Sequence, residues 1–279
     1  MTEHKFGGTW TEIKLSRLQK YLGFYTQALK NAHQHYGWSL SYIDAFAGTG
    51  ECVVQGRELP IAGSAKIALE TKPAFDQYIF IDERSEHVDA LQLLSTSYPD
   101  KNIKIYNEDA NSRIIKICES IDWKKNRAVI FLDPYGMEVK WDTLECVAKT
   151  QAIDVWYLFP LSGLYRQAAR KYTSVSDDKA KAIDELLGTS EWRTAFYEAP
   201  AQSDLFDSDP SAERTMQWDD LLKYVREERL KSIFAEVSNP MILPNSGVPR
   251  FALFFAVSNP GPAAVGLSMK VANHILKSD

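Results

Sequence analysis

The 279-residue chain has little of what marks a metalloprotein, a disulfide scaffold or a membrane protein. Its three cysteines, Cys52, Cys118 and Cys146, are widely spaced and form no C-x-x-C pair, so neither a disulfide framework nor a zinc site is indicated. The five histidines, His4, His33, His35, His87 and His274, are scattered and read as structural or solvent-exposed. No metal is expected. No apolar run approaches the roughly 18 residues of a membrane span. The first ten residues, MTEHKFGGTW, lack the apolar stretch of a secretory signal. A cytoplasmic, reduced protein without a membrane partner is the expectation. Positive charge is also in short supply. A formal net charge of −5 argues against a broadly basic nucleic-acid-binding surface, although it leaves room for a local basic cleft. There are no internal repeats and no low-complexity segments.

What the chain does contain is an alternation of apolar strands and amphipathic helices. Residues 41–50, SYIDAFAGTG, form a short apolar run with Asp44 near its end, followed by Gly48 and Gly50. Closely spaced glycines at a strand end let the backbone turn tightly and approach a ligand, or they simply end the strand. Further strands are expected at 77–82 (QYIFID), 102–107 (NIKIYN), 128–133 (AVIFLD) and 153–159 (IDVWYLF), with helices between them. Continuous apolar strands alternating with helices indicate a parallel sheet buried on both faces. Segments 232–237 and 250–258 read as a final antiparallel pair, because their connection is too short for a crossover helix. The fold expected is α/β, a doubly wound, mostly parallel seven-stranded sheet with an antiparallel edge strand.

The chain reads as a single domain over 1–279 with two embellishments. Residues 1–37 form an N-terminal helical extension, its helix running over 10–36 with a stop at Gly37 and a cap at Thr9 or Thr11. Residues 162–217 form a polar insertion after the fifth strand, with a charged helix near 177–187 and a loop at 200–210 rich in Asp, Ser and Pro. Arg166, Arg170, Lys171, Lys179 and Lys181 make its first part locally basic, either as a substrate clamp or as a solvated helix face.

Three carboxylates, Asp44, Asp82 and Asp109, fall at the ends of three successive strands, along one rim of a parallel sheet. An acid at the end of the second strand suits the hydroxyls of a ribose. Asp82 is the candidate, with Glu83 in its place if the register shifts. Asp109 suits an adenine amino group, or, standing before Asn111 and Ser112, it caps the following helix. The fourth strand leads into Asp133-Pro134-Tyr135-Gly136. That segment is a good β-turn sequence, and it is also able to hold a flat amine-bearing group, with Asp133 or neighbouring carbonyls accepting from the amine and Tyr135 stacking on the ring.

The segments DAFAGTG, FIDE, NEDA and FLDPYG, in this order and spacing, resemble the successive motifs of class I S-adenosylmethionine-dependent methyltransferases over about residues 41–160. The W-T-x-x-K-L-x-x-L-x-x-Y-L stretch at 10–22, joined to YIDAFAGTG, more narrowly resembles the three-Cys-motif partner (TcmP) family. The three cysteines of that name belong to a radical-SAM-like partner protein. The resemblance implies an S-adenosylmethionine cofactor, with Asp44, Phe46, Gly48 and Gly50 around its methionine part. Asp82 with Glu83 would hold the ribose, and Asp109 with Ala110 the adenine. It implies that Asp133, Pro134 and Tyr135 take the place of the D/N-P-P-Y/F motif of amino-methyltransferases, with Tyr135 and Gly136 replacing its last two residues. Tyr135, Gly136, Arg166 and Arg170 would then contact the acceptor. A third glycine is missing from the first motif, where Cys52 or Val53 stands, which argues against a dinucleotide fingerprint.

The leading expectation is transfer of a methyl group to an exocyclic amine of an RNA or DNA base. One alternative is a methyltransferase-fold module that docks a radical-SAM-like three-Cys-motif protein, with the tryptophans Trp156, Trp192 and Trp218 as interface or core residues. Another is a small-molecule methyltransferase, in keeping with the acidic composition.

Overall fold

The computed structural model describes residues 9–52, 59–198, 212–243 and 248–277. Five parallel strands, β1 (Ser39–Asp44), β2 (Gln77–Asp82), β3 (Ile103–Asn107), β4 (Asn126–Leu132) and β5 (Ile153–Phe159), are followed late in the chain by β6 (Glu236–Val237) and β7 (Ala252–Val257). Their order across the sheet is β3-β2-β1-β4-β5-β7-β6. β1 pairs in parallel with both β2 and β4, so the strand order reverses beside β1. A crevice at that switch point, outside the carboxyl ends of the strands, is where ligands bind in open α/β sheets. β7 runs antiparallel to β5 and to β6. A further two-residue strand, Met241–Ile242, also pairs with β7. This is the doubly wound, mostly parallel seven-stranded sheet with an antiparallel edge strand that the sequence reading expected, in the Rossmann-like arrangement that the motif resemblance implied.

Central strands such as β5 are buried at every residue because helices cover both faces. One face carries α4 (Ala110–Ser120) and α5 (Trp141–Lys149), where Ile114, Ile117, Leu144 and Val147 pack against Ile130 and Val155. The other face carries α1 (Thr9–Tyr36), α2 (Ser64–Glu70) and the C-terminal helix Pro262–Lys277. There Leu18, Tyr21, Leu22 and Ile275 meet Tyr42, Phe131 and Trp156. α3 (Ser85–Ser95) follows β2.

The sequence reading needs amendment in three places. Residues 232–237 are not one strand: Lys231–Ile233 is helical and only Glu236–Val237 pairs, because Leu230 and Phe234 are buried four apart. The loop after Gly50 begins and ends as a small hairpin, Glu51–Cys52 against Ile61–Ala62. Between β5 and β6 the chain forms Leu161–Gln167, α6 (Asp177–Leu187) and Trp218–Tyr224 among other short elements. Val53 and the loop at 200–210 lie outside the described residues.

Candidate cofactor and acceptor site

The turn after β1 is built from backbone. The amide of Ala45 donates to Phe131 O and that of Ala47 to Ile81 O, which ties the turn to strands on both sides. Gly48 and Gly50 have φ of 58° and 82°, the left-handed region that glycine enters at little cost. A Cβ at Gly50 would also lie 2.6 Å from Leu94 Cδ2. At Gly48 a Cβ would meet nothing within 4 Å, so this side of the turn is open.

The turn closes on Asp82. Gly48 N donates to Asp82 Oδ2 at 2.9 Å, Arg84 N donates to Oδ1 at 3.0 Å, and His87 Nδ1 lies 3.0 Å from Oδ2. Asp82 is buried at the end of β2, yet it still lines a cavity of about 280 Å³ along the carboxyl rim. Phe46, Glu83, Asp109, Ala110 and Tyr135 line the same cavity, so six of the residues singled out in the sequence meet around one space. Asp109 also caps α4, its Oδ1 accepting from Ser112 N and Oγ, each at 2.8 Å. Partial desolvation pushes its carboxyl up, but the Ser112 amide and hydroxyl win and hold it below the usual range.

Asp44 stands at the end of β1, fully buried and outside the cavity lining. Tyr42 donates its hydroxyl to Oδ2 at 3.1 Å, while Oδ1 has no hydrogen-bond partner among the described residues. Desolvation is the main reason its carboxyl is raised to about 7; the charge of Asp133 adds to it and the Ser64 and Tyr42 hydroxyls oppose it.

Asp133, just past β4, forms an ion pair with Lys14 of α1, which helical periodicity does not predict. Tyr135 is half-exposed, its amide donating to Glu138 Oε2 at 3.2 Å and its ring lying 4.9 Å from the Arg84 guanidinium. Asp133, Pro134 and Gly136 are not among the cavity-lining residues, whereas Tyr135 is. Tyr135, two residues after Asp133, is thus the one residue of this segment that lines the cavity.

Two features escaped the sequence reading, and one expectation of it fails. Asn111 is buried at the start of α4 and fixes the segment after Tyr135: its Nδ2 donates to Glu138 O at 2.9 Å, and its Oδ1 accepts from Lys140 N at 2.9 Å and Thr143 Oγ1 at 2.8 Å. The Asn at the second helical position was the only signal. Lys140 meets Glu185 of α6 at 3.4 Å, and both line the cavity. Arg166 and Arg170, expected to contact the acceptor, are outside the lining. Arg166 Nε donates to Ser162 O, and Arg170 pairs with Glu213 at 3.3 Å.

No protein-family model matches this chain, and no curated protein matches it. Among solved structures, protein LPL1258 of Legionella pneumophila str. Philadelphia 1, of the family model DUF519, is 12% identical, with 97% of this chain and 93% of that one covered at a TM-score of 0.49. An S-adenosylmethionine-dependent methyltransferase from Clostridium acetobutylicum ATCC 824 is 13% identical over 86% of this chain and 91% of its own, at a TM-score of 0.38. The N-terminal domain of EvdMO1 with SAH bound is 10% identical over 85% and 80%, at 0.37. At these identities the likeness concerns the fold.

Proposed function

We propose that the chain is an S-adenosylmethionine-dependent methyltransferase that acts on an exocyclic amine of a nucleic-acid base. The observation that carries the cofactor assignment is the rim cavity lined by Phe46, Asp82, Asp109 and Ala110; the left-handed glycine turn, itself outside the lining, donates a backbone N–H to Asp82. The residues present fit the group. Asp82 has lone pairs left for ribose hydroxyls, the open side of Gly48 admits a close approach, and Asp82, Glu83, Asp109, Glu138 and Glu185 give the lining a negative excess over Arg84 and Lys140 that suits a cation. The chemistry supplied by the bound cofactor is a methyl group on a sulfonium, open to displacement by a nitrogen lone pair. The chain contributes orientation. Asp133 Oδ1 accepts from the acceptor amine and Tyr135 stacks on the base that carries it.

The test is transfer of labelled methyl from S-adenosylmethionine to unfractionated RNA and DNA. Label in one pool, lost in Tyr135→Ala, supports the assignment; absence of label from both removes the nucleic-acid acceptor.

The same acidic lining, and the pairing of Arg170 away from the cavity, favour a second reading. In it the chain is a partner module for a radical-SAM-like three-Cys-motif protein, as the TcmP resemblance implies. Co-purification of such a protein, with no transfer by the chain alone, is its expected signature.

A further inference from the structure

We propose that Lys14 is a specificity-determining residue, its ammonium reserving the place beside Asp133 for a neutral amine and excluding an aliphatic ammonium. The inference rests on the methyl-transfer reading for what the amine is for.

The position of Lys14 is unusual for a lysine. In α1, Lys20 and Lys30 are exposed, as lysines on an amphipathic helix are expected to be. Lys14 instead takes a core position, on the stripe that holds Thr11, Leu15, Leu18 and Leu22, and is 6% exposed. Burying an ammonium is costly unless it is well paired. The pairing supplied is the carboxylate of Asp133, through Oδ2, with the Trp10 ring 5.0 Å from Nζ. Arg17 follows one turn later, equally buried. Of these two cations, Lys14 reaches the sheet end that carries Asp133.

This arrangement decides what else fits. Asp133 Oδ1 accepts from none of the described residues, and the side chain retains 20% exposure, so one acceptor oxygen remains for an incoming N–H. A neutral aromatic amine meets that oxygen without meeting a like charge. An alkylammonium would have to shed its water beside the Lys14 ammonium, where repulsion is screened far less than in solvent. A discrimination of about 100-fold is the expectation for charges a few ångströms apart in such a site.

The test uses the full chain saturated with S-adenosylhomocysteine, as wild type, Lys14→Ala, Lys14→Met and Lys14→Arg. Ethylammonium chloride, against sodium chloride at equal ionic strength, is the cationic probe; adenosine and cytidine are the neutral ones. Ethylammonium is expected to raise the melting temperature of Lys14→Ala by about 3 °C or more by filling the vacated place against Asp133, and to leave wild type and Lys14→Arg unchanged. Lys14→Met, which removes the charge but keeps the volume, is the control in which no place is vacated and no response is expected; Lys14→Ser stands in if the alanine variant does not fold. Ethylammonium that stabilises wild type as much as the small-residue variant, or that does not stabilise that variant, overturns the proposal. Nucleoside binding is read separately. If neither nucleoside binds wild type but ethylammonium discriminates as expected, the nucleobase assignment fails and the role of Lys14 stands.

Discussion

Burying a carboxylate with one oxygen unpaired is expensive, and Asp44 does this at the end of β1. Its carboxyl rises from the ordinary 3.8 to about 7, chiefly through desolvation. The sign of the stability effect follows. Between those values the folded protein holds a proton that the unfolded chain has released, so stability falls as pH climbs from about 4 to about 7 and levels off above. Asn keeps an acceptor for the Tyr42 hydroxyl and removes the charge. Asp44→Asn is therefore expected to match wild type in urea unfolding at pH 4 and to exceed it by ~4 kcal/mol at pH 8. A variant less stable than wild type at pH 8 would show that the ionised carboxylate is compensated by its surroundings. The residue scale is also where sequence reading reached least far. Asp82 and Asp109 were legible because they sit at or just beyond strand ends, a one-dimensional property. Lys14 was not, because periodicity assigns a lysine on an amphipathic helix to solvent, and only the packed structure shows it facing Asp133.

At the scale of elements, the site depends on how α4 and the segment before α5 are held together. Asn111 does this with three hydrogen bonds from one buried amide side chain. Asn111→Ala leaves the Glu138 carbonyl, the Lys140 amide and the Thr143 hydroxyl without that partner. A loss of about 2–3 kcal/mol in urea unfolding is expected, with weaker cofactor binding because Tyr135, Glu138 and Lys140 lose their anchor. A loss below about 0.5 kcal/mol would mean that water replaces the amide fully. The elements themselves were largely readable: β2, β4 and β5 are the continuous apolar runs that buried parallel strands make, while the edge strand β3 alternates with exposed residues. β6 was over-read, because the helical spacing of Leu230 and Phe234 outweighs a short run of strand-like residues. The basic stretch at Arg166 and Arg170 pointed to a clamp, but charge in sequence carries no direction, and Arg170 is satisfied by Glu213 from a strand 43 residues away.

At the scale of the whole molecule, α1 closes one face of the sheet and carries its own charge into the site. Tyr21 donates its hydroxyl to the buried Asp154 at 2.6 Å, which pins α1 to β5, while Lys14 reaches Asp133 near the opposite end of the strands. No helix of the described residues is long and apolar enough to cross a membrane. A ligand that binds only the folded chain stabilises it by mass action. S-adenosylhomocysteine at one hundred times its dissociation constant should add about 2.7 kcal/mol, a rise of several degrees in melting temperature.

The central claim is that the rim cavity at Asp82 holds S-adenosylmethionine. Calorimetric titration of the chain with S-adenosylmethionine and S-adenosylhomocysteine, beside Asp82→Ala, tests it most directly. One-site binding by the wild type, weakened about 30-fold or more in the variant as charged hydrogen bonds to the ribose are lost, is the predicted result. Wild-type binding that Asp82→Ala leaves unchanged, or no binding by the wild type, would contradict the account.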